Sequence, residues 1–124
     1  MNIKRLFQSF VNAWRGIVFT FRHEQNFRVQ LLFSVIVVIG MFLFHLRSYE
    51  RIVVLLLIIL VIVLELVNTT IEKFLDLMKP RLHTHVEVIK DVMAAAVLIA
   101  SVGALIIGCI IFIPHIIVEL SVFS

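Results

Sequence analysis

Three long apolar runs limit what this chain can fold into. Residues 29–46 and residues 92–113 contain no Asp, Glu, Lys or Arg, and residues 52–71 contain only Glu65. As α-helices, runs of 18, 20 and 22 residues would be about 27, 30 and 33 Å long at ~1.5 Å per residue. These lengths match the hydrocarbon core of a bilayer, which is ~30 Å thick. The sequence therefore predicts three transmembrane helices.

The composition supports a membrane protein with one domain. Hydrophobic residues make up 62% of the 124 residues, more than a soluble domain normally contains. A chain of this length cannot bury so much apolar surface in a water-soluble core. The net charge of +3 comes from basic residues beside the apolar runs, which is typical of juxtamembrane segments and not of nucleic-acid binding. We therefore predict an all-α integral membrane protein with a single domain over residues 1–124.

The segments outside the apolar runs predict the remaining elements. Apolar side chains recur at helical spacing in residues 1–28, with basic and amide side chains on the other faces, as in a helix that lies in the headgroup plane. We expect a break near residues 23–27 and a polar turn at residues 46–51. Residues 72–91 are polar and contain Pro80, which should end or bend the helix.

The Lys and Arg side chains predict an orientation. The N-terminal segment contains five and the loop between the second and third spans contains four, whereas the loop between the first and second spans contains two. Basic residues concentrate on the cytoplasmic side of membrane proteins. We therefore expect the N-terminus and the second loop in the cytoplasm, and the C-terminus on the other side of the membrane.

A polar face interrupts the second span. Glu65 begins it, and Asn68, Glu72 and Asp76 follow at intervals of three, four and four residues. This spacing places all four within an arc of roughly 80° over about 16 Å of one helix. A charge in mid-membrane costs roughly 2.5–3.5 kcal/mol, so an intramembrane carboxylate usually faces the interior of a bundle and marks a functional site. The alternative is a protonated Glu65 that only joins helices through a hydrogen bond.

The spacing of the two glutamates favours two separate tasks. Glu65 and Glu72 lie two turns apart, about 10 Å along the axis, which is too far for both to bind one metal ion. A buried Glu65 could deprotonate an alcohol. Glu72 at the water interface could bind Mg²⁺, which favours one or two carboxylates together with phosphate oxygens. Lys90, beside Asp91 at the mouth of the third span, could contact a phosphate.

These residue types together favour phosphoryl transfer to a lipid hydroxyl, a reaction catalysed chiefly by positioning and charge neutralisation. The sequence contains neither a Walker GxxxxGK[ST] motif nor a kinase glycine-rich loop, so nucleotide binding would need another architecture. The competing class is a non-enzymatic membrane protein, such as a channel or a proton-conducting bundle built around Glu65. A channel would not need Glu72, Lys90 and Asp91 grouped at the membrane surface, which favours the kinase.

Two motifs carry a family resemblance. ELVNTTIEKFLDL, residues 65–77, and KDVMAAAVLIA, residues 90–100, resemble the signature of the small prokaryotic diacylglycerol kinases and undecaprenol kinases. That signature reads E-x-x-N-[TS]-x-[IV]-E-x-x-x-D, followed by K-D-x-x-[AGS]-[AG]-A-V. The upstream segment AWRGIVFTFRHEQNFR, residues 13–28, is similar to the surface helix of the same family. The resemblance covers almost the whole chain, in order and with similar spacings.

The resemblance implies an ATP- and Mg²⁺-dependent lipid kinase in the bacterial cytoplasmic membrane, built as a homotrimer with three transmembrane helices and one surface helix per subunit. It implies that Glu65 is the general base and that Asn68 helps to position the lipid hydroxyl. It assigns Mg²⁺ on the ATP phosphates to Glu24 and Glu72. The nucleotide contacts that it implies are Glu24, Glu72, Lys90, Asp91, Arg5, Arg81 and His83. The residues that it places at the lipid are Glu65, Asn68, Asn26, Phe27 and Arg28.

The acceptor lipid is predicted only by resemblance. IIGCIIFIPHI at residues 106–116 and the NTTIE form of the motif are more similar to Gram-positive members, many of which prefer undecaprenol. The expected product is then undecaprenyl phosphate, and the alternative is a diacylglycerol kinase that makes phosphatidic acid. Two features depart from the common pattern: Ala95 replaces a usual Gly, and the second loop lacks the usual His-Pro pair.

Overall fold

The computed structural model describes residues 2–78 and 83–124, and these residues are almost entirely helical. Four helices follow one another within them. They are α1 (Ile3–His23), α2 (Gln25–Leu43), α3 (Ser48–Met78) and α4 (His83–Val122). Three segments are long and apolar enough to cross a membrane, namely α2, α3 and Thr84–Val122. The predicted all-α fold with three transmembrane helices after an N-terminal helix is therefore confirmed.

The joint between α1 and α2 is a single residue. Glu24 has extended backbone angles (φ −117°, ψ 111°), and its N–H donates to the carbonyl of Thr20 at 2.8 Å. Arg28 reaches back across the joint, and its Nη1 donates to the carbonyls of Phe21 and Arg22 at 2.8 and 3.1 Å. These bonds satisfy carbonyls that the end of α1 leaves without a helical partner. The break expected near residues 23–27 is confirmed, and it leaves α1 shorter than the predicted segment 1–28.

The connection between α2 and α3 lies at residues 44–47, earlier than the turn predicted at 46–51. His45 has a positive φ of 52°, which reverses the chain. The backbone N–H of Arg47 then donates to Oε1 of Glu50 at 3.0 Å. This bond is typical of a helix start, so α3 already begins at Ser48.

Helices α3 and α4 extend well past the spans predicted at 52–71 and 92–113. With 31 and 40 residues they are about 46 and 60 Å long at ~1.5 Å per residue. The described parts of the polar segment 72–91 are therefore helical, while Pro80 lies outside the described residues. At the opposite end, α4 continues through Pro114, and His115 Nε2 lies 3.0 Å from Oε1 of Glu50. His115 thus joins α4 to the start of α3.

Helix α3 is central, since it contacts each of the other three helices. A small apolar core of Met41, Leu46 and Val54 lies at the end of the bundle that contains the α2–α3 connection. Most of the large apolar side chains are exposed instead. This distribution is the reverse of a soluble protein's and fits a chain whose outer surface faces lipid.

Candidate active site

The polar face of α3 points into the bundle. Glu65 is 1% exposed, and Asn68 and Thr69 are buried beside it. The Thr69 hydroxyl donates to the backbone carbonyl of Glu65 at 3.0 Å, and the Asn68 side chain lies next to the Glu65 carboxyl. Because Leu75 is buried and Glu72 is half-buried, the same face continues along the helix. The expectation that Glu65 faces the interior is confirmed.

A residue of α2, Gln30, contacts the Glu65 carboxyl. Its Nε2 donates to Oε2 of Glu65 at 3.3 Å. The other polar atom of each side chain, Gln30 Oε1 and Glu65 Oε1, is buried and has no hydrogen-bond partner within the described part of the chain. Buried polar atoms normally have partners, so two free acceptors in one place indicate a site for a donor from outside the chain. Sequence reasoning missed Gln30, although an amide in an otherwise apolar run was a usable signal.

Glu24 joins this group from the joint between α1 and α2. Its half-buried side chain makes no capping hydrogen bond to α2, although it occupies the capping position of that helix. The charges of Glu24 and Glu72 both act on Glu65. The three carboxylates therefore come from α3, which carries Glu65 and Glu72, and from the α1–α2 joint, which carries Glu24.

A cation–π contact joins the end of α1 to this part of α3. The ring of Phe19 stacks on His23 with 4.2 Å between the ring centres. Lys73 Nζ lies 5.9 Å from the centre of the Phe19 ring, within the range of a cation–π contact. Since Lys73 follows Glu72 directly, this contact connects the helix that precedes Glu24 to the part of α3 that carries Glu72.

Lys90 and Asp76 pair where α3 and α4 extend past the predicted spans. Lys90 Nζ lies 2.8 Å from Oδ1 of Asp76, and their side chains are 26% and 51% exposed. The sequence predicted a phosphate contact for Lys90 and placed Asp76 on the polar face of α3. The next residue, Asp91, is exposed. Lys90 on α4 therefore lies beside Asp76, at the water-exposed end of the polar face of α3.

The remaining predicted site residues differ in their exposure and in their distance from the carboxylates. Asn26 is exposed, whereas Phe27 is 1% exposed and the Arg28 guanidinium is bonded to carbonyls of α1. Arg5 lies 19 residues before Glu24, about 28 Å along α1, so this chain alone does not bring it to the carboxylates. Arg81 lies outside the described residues, and His83 is the first residue of α4.

The donor set fits Mg²⁺. Within residues 2–78 and 83–124, no three His, Cys, Asp or Glu side chains are grouped tightly enough to enclose a metal ion. Mg²⁺ does not require such a cage, because it is usually held by one or two carboxylates together with substrate phosphates and water. Glu24 and Glu72 are the two carboxylates that the sequence predicts for this ion.

Comparison with known proteins identifies the family of this chain. A model of the prokaryotic diacylglycerol kinase family matches residues 11–112. The chain belongs to this family. It is also 40% identical over 112 residues to the undecaprenol kinase of Bacillus subtilis, covering 90% of this chain and 91% of that protein. It is 36% identical over 110 residues to a diacylglycerol kinase of Synechocystis, covering 88% of this chain and 63% of that protein.

Family membership decides between the two classes that the sequence left open. The chain is a small multi-pass membrane lipid kinase that transfers phosphate to a lipid alcohol, and a kinase of this family uses ATP. A channel built around Glu65 is no longer needed to explain the buried carboxylate. As in the predicted scheme, this kinase combines a buried acidic side chain with charged groups at the end of the same helix.

Proposed function

We propose that this kinase phosphorylates undecaprenol, with ATP as the donor and Mg²⁺ as the metal, to give undecaprenyl phosphate. The observation that carries the proposal is the buried Glu65, one oxygen of which is bonded to Gln30 while the other has no partner. The choice of lipid is supported by the greater identity to the undecaprenol kinase, together with the fuller coverage of that protein. Diacylglycerol is the alternative acceptor.

In the proposed reaction Glu65 is the general base. Its free Oε1 accepts the proton of the lipid hydroxyl, and the hydroxyl oxygen attacks the γ-phosphorus of ATP. The bond from that phosphorus to the β–γ bridging oxygen breaks, and ADP leaves with the electron pair. The proton remains on Glu65 until water removes it. A general base placed in this way typically contributes about 10²–10⁴-fold to the rate.

The other predicted residues bind and orient the substrates. Glu24 and Glu72 would hold Mg²⁺, which neutralises charge on the phosphates when bound. Lys90 would exchange Asp76 for a phosphate oxygen, with Asp91 beside it at the nucleotide. Asn68 would position the lipid hydroxyl. The weaker assignments are Arg5, Arg81 and His83 at the nucleotide, and Asn26, Phe27 and Arg28 at the lipid entry.

We further propose a homotrimer in the bacterial cytoplasmic membrane, with the N-terminus in the cytoplasm. Its single domain would comprise a surface helix and three spans. The exposed apolar side chains of α4 support an arrangement in which lipid and neighbouring copies surround each subunit. The excess of Lys and Arg at the end that contains Glu24, Glu72 and Lys90 supports a cytoplasmic position for the nucleotide.

The test is a parallel assay of the purified protein in detergent micelles with labelled ATP, offering undecaprenol and diacylglycerol separately. We expect kcat/KM for undecaprenol to exceed that for diacylglycerol at least tenfold. The reverse preference would replace the proposed acceptor by diacylglycerol. If neither lipid is labelled while Mg²⁺ and ATP are saturating, the proposed function is wrong.

A further inference from the structure

Gln30 contacts the carboxyl group of Glu65 but has no part in the proposed reaction. It lies on α2, which in sequence begins directly after Glu24, and its side chain is half-buried. Its backbone carbonyl accepts a hydrogen bond from the Ser34 hydroxyl at 2.7 Å, while its side chain reaches across to α3. Gln30 therefore links α2, the helix that begins directly after Glu24, to the side chain of Glu65 on α3.

The direction of this contact is informative. A side-chain amide offers both a donor and an acceptor, whereas an ionised carboxylate only accepts. The donor end of Gln30 lies against Oε2 of Glu65, and the acceptor end has no partner. An amide also carries no charge and does not titrate in the ordinary pH range. Gln30 can therefore hold one oxygen of an ionised Glu65 without adding a fourth charge to a group that already contains three carboxylates.

This contact also leaves the two oxygens of Glu65 unequal. A carboxyl group can rotate, and either oxygen could then face an incoming hydroxyl. A donor on Oε2 limits that rotation and leaves Oε1, which is buried and has no partner within the described residues, as the oxygen available to a new donor. Fixing a reacting group in one orientation can contribute substantially to a rate, since a misplacement of ~1 Å can cost about 10²-fold.

We propose that Gln30 is a positioning residue, which holds Oε2 of Glu65 and so presents Oε1 to the hydroxyl of the lipid substrate. The inference rests on the proposed role of Glu65 as general base. Gln30 does not touch the reacting atoms, and its effect passes through Glu65. It should consequently change the rate of the chemical step and leave nucleotide affinity alone.

Two substitutions separate this role from simple packing. Gln30→Met keeps the length of the side chain and removes the donor, so kcat should fall about 10- to 100-fold, as expected for a lost hydrogen bond to a charged group. Gln30→Glu keeps the shape and replaces the donor by a fourth carboxylate, so kcat should fall further. In both variants KM for ATP should stay within about twofold of its value in the protein without substitutions. Ser34→Ala is the matched control, since it removes a polar group one turn away that does not contact Glu65.

A spectroscopic measurement makes the result independent of turnover. The infrared carboxyl band of Glu65 is identified by its loss in Glu65→Gln. We expect Gln30→Met to shift that band and Ser34→Ala to leave it in place, with the helical circular dichroism of both variants unchanged.

The outcomes distinguish the two proposals. If the unchanged protein labels neither lipid while Gln30→Met still shifts the Glu65 band, the contact stands and the proposed function fails. If the protein is active and Gln30→Met equals it in kcat, or if Ser34→Ala loses as much activity, the positioning role is wrong. The positioning role would also be wrong if Gln30→Met raised KM for ATP and left kcat unchanged.

Discussion

Lys90 Nζ lies 2.8 Å from the Asp76 carboxylate, and this ion pair joins α4 to α3 next to the predicted nucleotide residues. Both side chains are partly exposed, so the pair contributes only about 0–1 kcal/mol to stability. A nucleotide phosphate carries more charge than one carboxylate and can compete for the same ammonium group. A pair of this strength is compatible with the proposed exchange of Asp76 for a phosphate oxygen.

Lys90→Met should raise KM for ATP about 10- to 100-fold, which corresponds to a lost hydrogen bond between charged groups of ~1.5–3 kcal/mol. KM for the lipid should change little. The measurement is initial rates against ATP concentration at saturating Mg²⁺ and lipid. Lys4→Met, at the exposed start of α1, is the matched control and should leave KM for ATP unchanged. An equal change in both variants would mean that overall charge, and not Lys90, determines nucleotide affinity.

Glu65→Gln should reduce kcat by at least about 10²-fold, because glutamine has nearly the same shape but cannot take the hydroxyl proton. The variant should still insert in membranes and should bind ATP normally. Glu119→Gln is the matched control: Glu119 is exposed near the end of α4, a few residues beyond His115, which contacts the opposite end of α3. Its kcat should stay within about twofold. Full activity in Glu65→Gln would exclude Glu65 as the general base.

Glu24→Gln and Glu72→Gln should each raise the Mg²⁺ concentration needed for half-maximal activity about tenfold or more. Each removes one of the two carboxylates that would hold the ion, and Mg²⁺ binds few protein ligands in such sites. The experiment titrates Mg²⁺ at fixed ATP, with Glu119→Gln again as control. A Mg²⁺ titration unchanged in either variant would remove that residue from the metal site.

The sequence predicted the structure best where a pattern has a single physical explanation. Apolar runs longer than 17 residues predict spans, and Glu65 within one of them predicts an inward-facing site. The ends of the helices were harder to predict. Both α3 and α4 continue through polar residues, and α4 also continues through Pro114. Polar residues are compatible with helix once it leaves the bilayer, so hydropathy marks the membrane and not the helix boundary. The predicted spans were consequently shorter than the helices.

Contacts between helices could not be predicted from the sequence. The bonds from Gln30 to Glu65 and from His115 to Glu50 join residues 35 and 65 positions apart. Periodicity places a side chain on a face of its own helix, but it gives no rotation of that helix relative to its neighbours. Glu24 illustrates the same limit, since its membership of the site came only from the family resemblance.

The position of the Phe112 side chain, which extends from α4 to Gly40 on α2, provides a test of the packing itself. A Cβ added at Gly40 would lie 3.2 Å from Cε1 of Phe112, closer than an ordinary van der Waals contact. The Phe112 ring also packs edge-on against Phe44, with 6.3 Å between the ring centres, which limits its movement. At Gly108, by contrast, an added Cβ would meet no atom within 4 Å in the described residues.

Gly40→Ala should therefore be less stable than Gly108→Ala, by about 1 kcal/mol or more, although both gain the same helix propensity from alanine. The measurement is unfolding of the detergent-solubilised protein by increasing dodecyl sulfate, followed by circular dichroism. Phe112→Leu should remove the difference, because the shorter side chain leaves room for the added methyl group. Equal stability of Gly40→Ala and Gly108→Ala would show that the Phe112 ring does not pack over Gly40 as the structure has it.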